Sequence, residues 1–289
     1  MLFIFLCVLF STSILIIFKS AGNQNLPALP IIVINYFIAA ALGFLLAGKE
    51  VFSQSFNYSC LPYALLIGLL FFILFLIVAK TTEISGMTIT SIASKMSVVF
   101  PVLFSIIVYH ESLGLIKLVG IVLALIALFT TVYQPTGLKN SLLYWLLPLT
   151  LFIGNGFLDS LLKYTQFEYL SDTNIFLFNG FVFGGALIIG FPVLIFRKKT
   201  LRYKFNGKLV FMGILLGLVN FGSLWAMVKA LNSHIDSSLV FIINNTGVVI
   251  LAAIAGISFF KERLGILKLL GILLALLSIF LLTMQANGS

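Results

Sequence analysis

The chain has 289 residues, 61% hydrophobic and 9% charged, with mean hydropathy +1.21 and net charge +9. A soluble chain carries about 25% charged residues, so the composition excludes a water-soluble globular domain and predicts an all-α polytopic membrane protein. The excess of Lys and Arg does not point to nucleic acid, because the basic residues sit between apolar runs, as they do in membrane proteins.

Ten apolar segments follow one another: Met1–Phe18, Pro30–Ala47, Leu61–Ala79, Ser85–Tyr109, Leu113–Tyr133, Leu142–Leu162, Asn174–Phe196, Leu209–Leu231, Asp236–Phe260 and Leu264–Met284. Backbone polar groups in lipid must be satisfied within the segment, and the runs are too long and continuous for barrel strands, so all ten are expected to be transmembrane helices. The first run lacks a basic leader and a cleavage site, and reads as a retained helix. Connections are short; the longest are Gly48–Cys60 and the basic Arg197–Lys208. Cys7 and Cys60 allow one bridge and no metal framework.

The strongest internal signal is a duplication. Tyr109–Gln134 matches Phe260–Gln285 without gaps at 12 of 26 positions, among them Glu111 with Glu262, Gly114 with Gly265, Lys117 with Lys268 and Gly120 with Gly271. Leu/Ile-rich sequence does not place polar residues and glycines in register by chance, so the chain divides into two repeats, 1–138 and 139–289, each of five helices. Five crossings are odd, so the halves traverse the membrane in opposite senses, an inverted repeat. Weaker echoes agree: Lys80 closes the third segment and Lys229 the eighth, while Lys19 follows the first and Lys163 ends the sixth.

Lys95 lies deep in the fourth segment, where a charge costs on the order of 2.5–3.5 kcal/mol and therefore faces a cavity or a partner. It would contact a substrate carboxylate or phosphate; the plain alternatives are a structural ion pair or snorkelling. The repeat alignment sets Lys95 opposite Thr246 and Ser94 opposite Asn245, next to Asn244, and inverted repeats bring matching positions together near the midplane. Interhelical hydrogen bonding explains the amides equally well. Asn155 and Asp159 share a face of the sixth segment. Asp159 could bind a cation, carry a coupling proton, or neutralise Lys95; it could also pair with Lys163, four residues on. The substrate-binding candidates are therefore Ser94, Lys95, Asn155, Asp159, Asn244, Asn245 and Thr246.

Ser11, Thr12, Ser13, Asn35, Asn179, Asn220 and Trp225 read singly as structural polar groups. Gly180 with Gly184 and Gly213 with Gly217 form GxxxG spacings that permit close helix packing. Glu111 and Glu262 stand just before a helix start, where the macrodipole favours an acid. Pro101 is expected to kink or unwind the fourth segment a turn beyond Lys95. His110 and His234 sit at segment edges with no metal partner. No nucleophile elbow, HExxH or phosphate loop is present, so neither a catalytic site nor a cofactor is expected.

The run VVFPVLFSIIVYHESLGLIKLVGIVLALIAL and its second copy GVVILAAIAGISFFKERLGILKLLGILLALL resemble the drug/metabolite transporter superfamily, in particular its ten-helix EamA-type permeases. The segment ends VAK and MVKAL, and FIGNGF in the sixth segment, are similar to their family counterparts. The second copy has Ala252 in place of the proline, and the usual Trp-Gly-Ser-Asn of the first helix is missing. The resemblance implies a central cavity formed by helices one to four of each half, and small-molecule transport by alternating access, frequently export. Family members are usually drawn with both termini in the cytoplasm. Here twelve basic residues, six of them in Arg197–Lys208, flank the loops after odd-numbered segments and four the other side, which by the positive-inside rule puts both termini outside.

The expected function is secondary transport of a small polar or zwitterionic, amino-acid-like metabolite, as an exporter in a prokaryotic inner membrane. The expected partners are this substrate, membrane lipid and a coupling proton; no nucleic acid is expected, and the protein acts as a monomer or homodimer. The alternatives are a multidrug or cation exporter using Asp159, an intramembrane enzyme, and a non-transporting membrane subunit.

Overall fold

A computed structural model describes residues 1–48, 58–100, 103, 114–132, 142–169, 175–201, 206–232, 237–262 and 265–284. Of the positions singled out above, Pro101, His110, Glu111 and His234 lie outside the described residues. Ten α-helices and no strand occur among the described residues, in chain order α1 (Leu2–Asn23), α2 (Ala28–Ala47), α3 (Leu61–Ile84), α4 (Met87–Met96), α5 (Leu115–Val132), α6 (Leu142–Tyr169), α7 (Ile175–Leu201), α8 (Gly207–Leu231), α9 (Ser237–Ser258) and α10 (Ile266–Met284). Local chemistry sets several starts. Pro27, whose backbone has no N–H to leave unpaired, precedes α2. Asn206 caps α8 by accepting the Leu209 N–H at 2.8 Å.

The helices α1, α2, α3, α6, α7 and α8 each contain a stretch long and apolar enough to cross a membrane, and α5, α9 and α10 contain shorter apolar stretches. Their outward faces are equally apolar. On α5, Leu118, Val122, Leu125 and Phe129 are exposed at helical spacing, and on α10 so are Leu270, Leu273, Leu277 and Phe280. Such stripes are at home only in lipid. The protein is an integral membrane protein.

Packing groups the chain into two compact units, Met1–Ala79 with Leu161–Asn232, and Lys80–Ser160 with Ser233–Ser289. Each unit draws on both sequence repeats. In the first unit α2 is the hub, packing on both α7 and α8. A Cβ on Gly43 would stand 2.5 Å from the Gly180 nitrogen, and one on Gly190 3.3 Å from Val33. The contact residue rises on one helix as it falls on the other, so α2 and α7 are antiparallel. The second GxxxG pair packs as its spacing suggests: Gly213 meets Ile31 and Ile34, and Gly217 meets Asn35 and Ile38. There α2 and α8 run the same way, and Asn220 donates to Asn35 Oδ1 at 3.0 Å, so this amide pair is structural. Cys7 and Cys60 are buried and form no disulfide among the described residues.

In the second unit the duplicated helices α5 and α10 pack on each other. The inner face of each is small: Gly120, Ala124 and Ala127 on α5, Gly271, Ala275 and Ser278 on α10, all buried. Ser278 donates to the Gly120 carbonyl at 2.7 Å. Gly271 lies against the Ala127 carbonyl and Thr131. The helices are therefore antiparallel. Moreover, shifting the pair 120–278 by the repeat offset of 151 residues gives 271–127, which is the second observed contact. A contact that maps onto itself with its partners exchanged is the mark of a two-fold interface, here between two copies within one chain. The fold is thus a two-repeat all-α membrane architecture with the repeats inverted.

Candidate functional site

The fourth segment is broken where its sequence demands. In a continuous helix the carbonyl of residue 97 would accept from residue 101, but Pro101 has no N–H and its ring collides with that carbonyl. Instead Phe100 N–H donates to the Ser97 carbonyl at 2.9 Å, a tight three-residue turn, and α4 stops at Met96. Lys95 therefore lies in the last turn of a ten-residue helix, not mid-helix as the segment length suggests. The carbonyls of that last turn carry the negative end of the helix dipole, which favours a cation.

Two polar side chains of α4 are satisfied locally. Thr90 donates to the Gly86 carbonyl at 2.7 Å and Ser91 to the Thr88 carbonyl at 2.9 Å. The end bearing Lys95 instead engages α6. Asn155 Nδ2 donates to Ser94 Oγ at 3.4 Å and to the Leu151 carbonyl at 2.9 Å. Ser97 Oγ approaches Asp159 Oδ2 at 3.2 Å and donates to the Ser94 carbonyl at 2.6 Å. Lys95 and Asp159 interact electrostatically, with no direct ion pair between them among the described residues. Phe100, just past the break, seats in the notch left by Gly156 and meets Phe152 edge-on at 5.2 Å. This accounts for the FIGNGF motif: Asn155 reaches the α4 hydroxyl and Gly156 makes room for the chain that follows it.

Four of the seven candidates, Ser94, Lys95, Asn155 and Asp159, thus share one place between α4 and α6. Ser97 belongs with them and went unnoticed in the sequence. The signal that could have found it is its position two residues past Lys95 and four before Pro101, whose missing N–H leaves the residue 97 carbonyl without a helical donor. The other three lie on α9, which packs on α4. Asn244 and Asn245 are buried and bond to each other at 3.4 Å, Asn244 Oδ1 has no partner among the described residues, and Thr246 is half-buried. Among the described residues no hydrogen bond joins this trio to the α4–α6 cluster. Taken together, a cation, a carboxylate, two hydroxyls and an amide can hold a small molecule bearing both charges, each group meeting its opposite.

Glu262 has a partner that its place before a helix start does not announce. Its carboxylate reaches the start of α4, where it accepts the Met87 N–H at 2.7 Å, the Thr88 N–H at 3.4 Å and the Thr88 hydroxyl at 3.0 Å. An N-cap of this kind contributes about 0.5–2 kcal/mol, and a charged acceptor at the positive end of the dipole lies toward the upper part of that range.

Three comparisons bear on what the molecule is. An uncharacterized protein of Haemophilus influenzae (strain ATCC 51907 / DSM 11121 / KW20 / Rd) is 29% identical over 287 residues, which is 95% of each chain. A crystal structure of a protein superposes with a TM-score of 0.65 over 99% of this chain and 97% of that one, at 13% identity, a likeness of fold alone. The model of the EamA-like transporter family matches residues 1–133 and again residues 147–284, one match in each repeat. With nearly the whole chain covered by two successive matches of the same pattern, and its two copies packed as an inverted pair, the protein belongs to the EamA-like transporter family.

Proposed function

We propose that this membrane transporter is a secondary exporter of a small zwitterionic, amino-acid-like metabolite, working by alternating access in a prokaryotic inner membrane with a proton as coupling ion. The observation that carries the reading is the mixed cluster at the break in α4: Lys95 for an anionic group, Asp159 for a cationic one, and Ser94, Ser97 and Asn155 to orient them. A transporter for anions alone has no use for the half-buried carboxylate, and one for cations alone has no use for the lysine. Asn244, Asn245 and Thr246, on the neighbouring helix α9, would complete the binding surface. The unit of transport is one chain, alone or paired as a homodimer. Neither nucleic acid nor a catalytic step has a part in it.

The test is a thermal-stabilisation screen of the purified full-length protein against free amino acids, their amides, their amines and lipophilic cations, followed by flux in liposomes under an imposed pH gradient. Neutral amino acids should stabilise the protein, whereas analogues lacking either the carboxylate or the ammonium should not. Stabilisation by lipophilic cations, lost in Asp159→Asn and kept in Lys95→Met, would replace this reading with cation export. Saturable binding without flux would indicate a non-transporting subunit.

A further inference from the structure

We propose that Glu262 is a positioning residue for the transport site, a clamp that holds α4, and with it Ser94 and Lys95, in register against α6. This rests on the reading of α4 as the site-bearing helix. The clamp joins elements far apart in the chain. Past the end of α9, Lys261 takes a left-handed backbone (φ 52°), and the Glu262 N–H turns back to the Gly256 carbonyl at 2.8 Å. The carboxylate is thereby aimed at the first turn of α4, where two backbone N–H groups and the Thr88 hydroxyl receive it.

Two glycines clear its path. A Cβ on Gly86 would stand 2.6 Å from Glu262 Oε1, and a Cβ on Gly256 2.7 Å from Oε2. Gly86 is doubly constrained, since its φ of 94° also disfavours a side chain. The three residues form one fitting, in which the carboxylate occupies the volume that two Cβ atoms would otherwise fill.

The consequence for the site follows from the brevity of α4. Ten residues make fewer than three turns, too few for a helix to hold itself together without outside contacts. Lys95 lies nine residues beyond Gly86, about 13 Å along the axis at about 1.5 Å per residue. The other end of α4 is a broken turn. Packing on α9 and α5 holds α4 by its apolar side chains, and side-chain bonds fix its rotation and axial position at two places, Glu262 at the start and the Ser94 and Ser97 contacts with α6 at the finish. Releasing the first frays the opening turn and lets α4 roll, and a roll of one residue, about 100°, takes the Ser94 hydroxyl off Asn155.

The experiment needs no substrate. Ser94→Cys is placed in the full-length protein with Cys7 and Cys60 replaced by Ser, and the rate of N-ethylmaleimide labelling is measured in detergent and in liposomes. The clamp is then weakened in steps by Thr88→Val, Glu262→Gln and Glu262→Ala. A Thr150→Cys variant, on a stretch of α6 away from α4, serves as control. The expected result is a labelling rate at position 94 that changes progressively through the series, at least threefold for Glu262→Gln, while the control stays within twofold. If the Ala variant does not fold, the Val and Gln variants decide. An unchanged rate at position 94 across the folded variants, with only the melting temperature falling, would make Glu262 an ordinary helix cap and overturn the proposal. Because labelling reads geometry and the ligand screen reads binding, either idea can fail without the other.

Discussion

Replacing Lys95 by Met removes the ammonium and keeps most of the stem, so it separates what the charge does for binding from what the side chain does for packing. A hydrogen bond to a charged group contributes about 1.5–3 kcal/mol, which at about 1.4 kcal/mol per tenfold predicts a loss of affinity for a zwitterionic ligand of roughly 10- to 150-fold. Folding should respond differently. A lysine at membrane depth costs about 2.5–3.5 kcal/mol on insertion, and Met relieves that cost. Against this, Asp159 retains the Ser97 contact at 3.2 Å but loses the neighbouring positive charge. The two effects oppose each other at similar size, so thermal stability in detergent should shift by less than about 2 kcal/mol in either direction, within the range of ordinary substitutions. The double variant Lys95→Met/Asp159→Asn should be more stable than Lys95→Met alone, with a coupling of about 0.5–3 kcal/mol if the two charges neutralise each other. The assays are thermal unfolding for all four members of the cycle, and calorimetric titration with the best amino acid from the stabilisation screen. Lys95→Arg should be impaired as well, because the guanidinium keeps the charge but not the shape. An affinity for Lys95→Met within twofold of the parent would show that the lysine serves the helix end alone and would remove it from the site.

Gly156→Val fills the notch that receives Phe100 and should cost about 1–3 kcal/mol by overpacking; it should also reduce flux, because the displaced chain is the one that ends α4. Flux equal to the parent in a folded Gly156→Val protein would contradict that coupling. Gly43→Ala forces apart the α2 and α7 backbones, which meet at Gly180, and should lower the melting temperature by more than Gly207→Ala, whose Cβ would meet nothing within 4 Å. An equal effect of the two would refute the close approach. A cysteine at Lys208, exposed at the start of α8, reports orientation. If the basic stretch is cytoplasmic, an impermeant maleimide added to intact cells leaves it unlabelled; labelling from outside would establish the opposite topology.

The parts of this fold that were legible in the sequence are those set by periodic or local rules. Ten apolar runs became ten helices because lipid leaves the backbone no alternative. The duplication led to an antiparallel α5–α10 pair because an odd number of crossings reverses direction, and the exchanged contacts 120–278 and 127–271 follow from it. The GxxxG at Gly213 and Gly217 was readable for the same reason: a missing side chain on one face has one common use in a membrane. The break beyond Lys95 was readable from the missing N–H of Pro101. What was not legible depended on which elements meet. Glu262 reads naturally as a charge at the start of the next helix, but its carboxylate serves α4, some 174 residues away in sequence. Ser97 looks like any membrane serine until Asp159 stands opposite. The two asparagines of α9, set opposite the Ser94–Lys95 stretch by the repeat alignment, bond to each other, a contact that the alignment does not show.

That last difference bears on how two copies of one design come to act as a transporter. Where α5 and α10 meet, the repeats remain alike, with small residues matching at Gly120 and Gly271 and at Ala124 and Ala275. Where α4 and α9 pass the site, they diverge in a coordinated way. The first copy has Lys95 and, six residues on, a proline; the second has Thr246 and, at the matching place, Ala252. The proline ends α4 at Met96, while α9 continues unbroken to Ser258. Charge and break therefore occur together in one repeat and are absent together from the other. There is a physical reason for the pairing. A lysine in the middle of a continuous helix meets neither end of the dipole, whereas at a helix end the negative pole is exposed, so the ammonium is stabilised where the helix stops. The unbroken copy, with no helix end at the matching place, carries neutral polar residues there instead. The symmetric pair α5 and α10 keeps the two-fold contact between the repeats, and the asymmetric pair α4 and α9 places a charge at a helix end in one repeat alone.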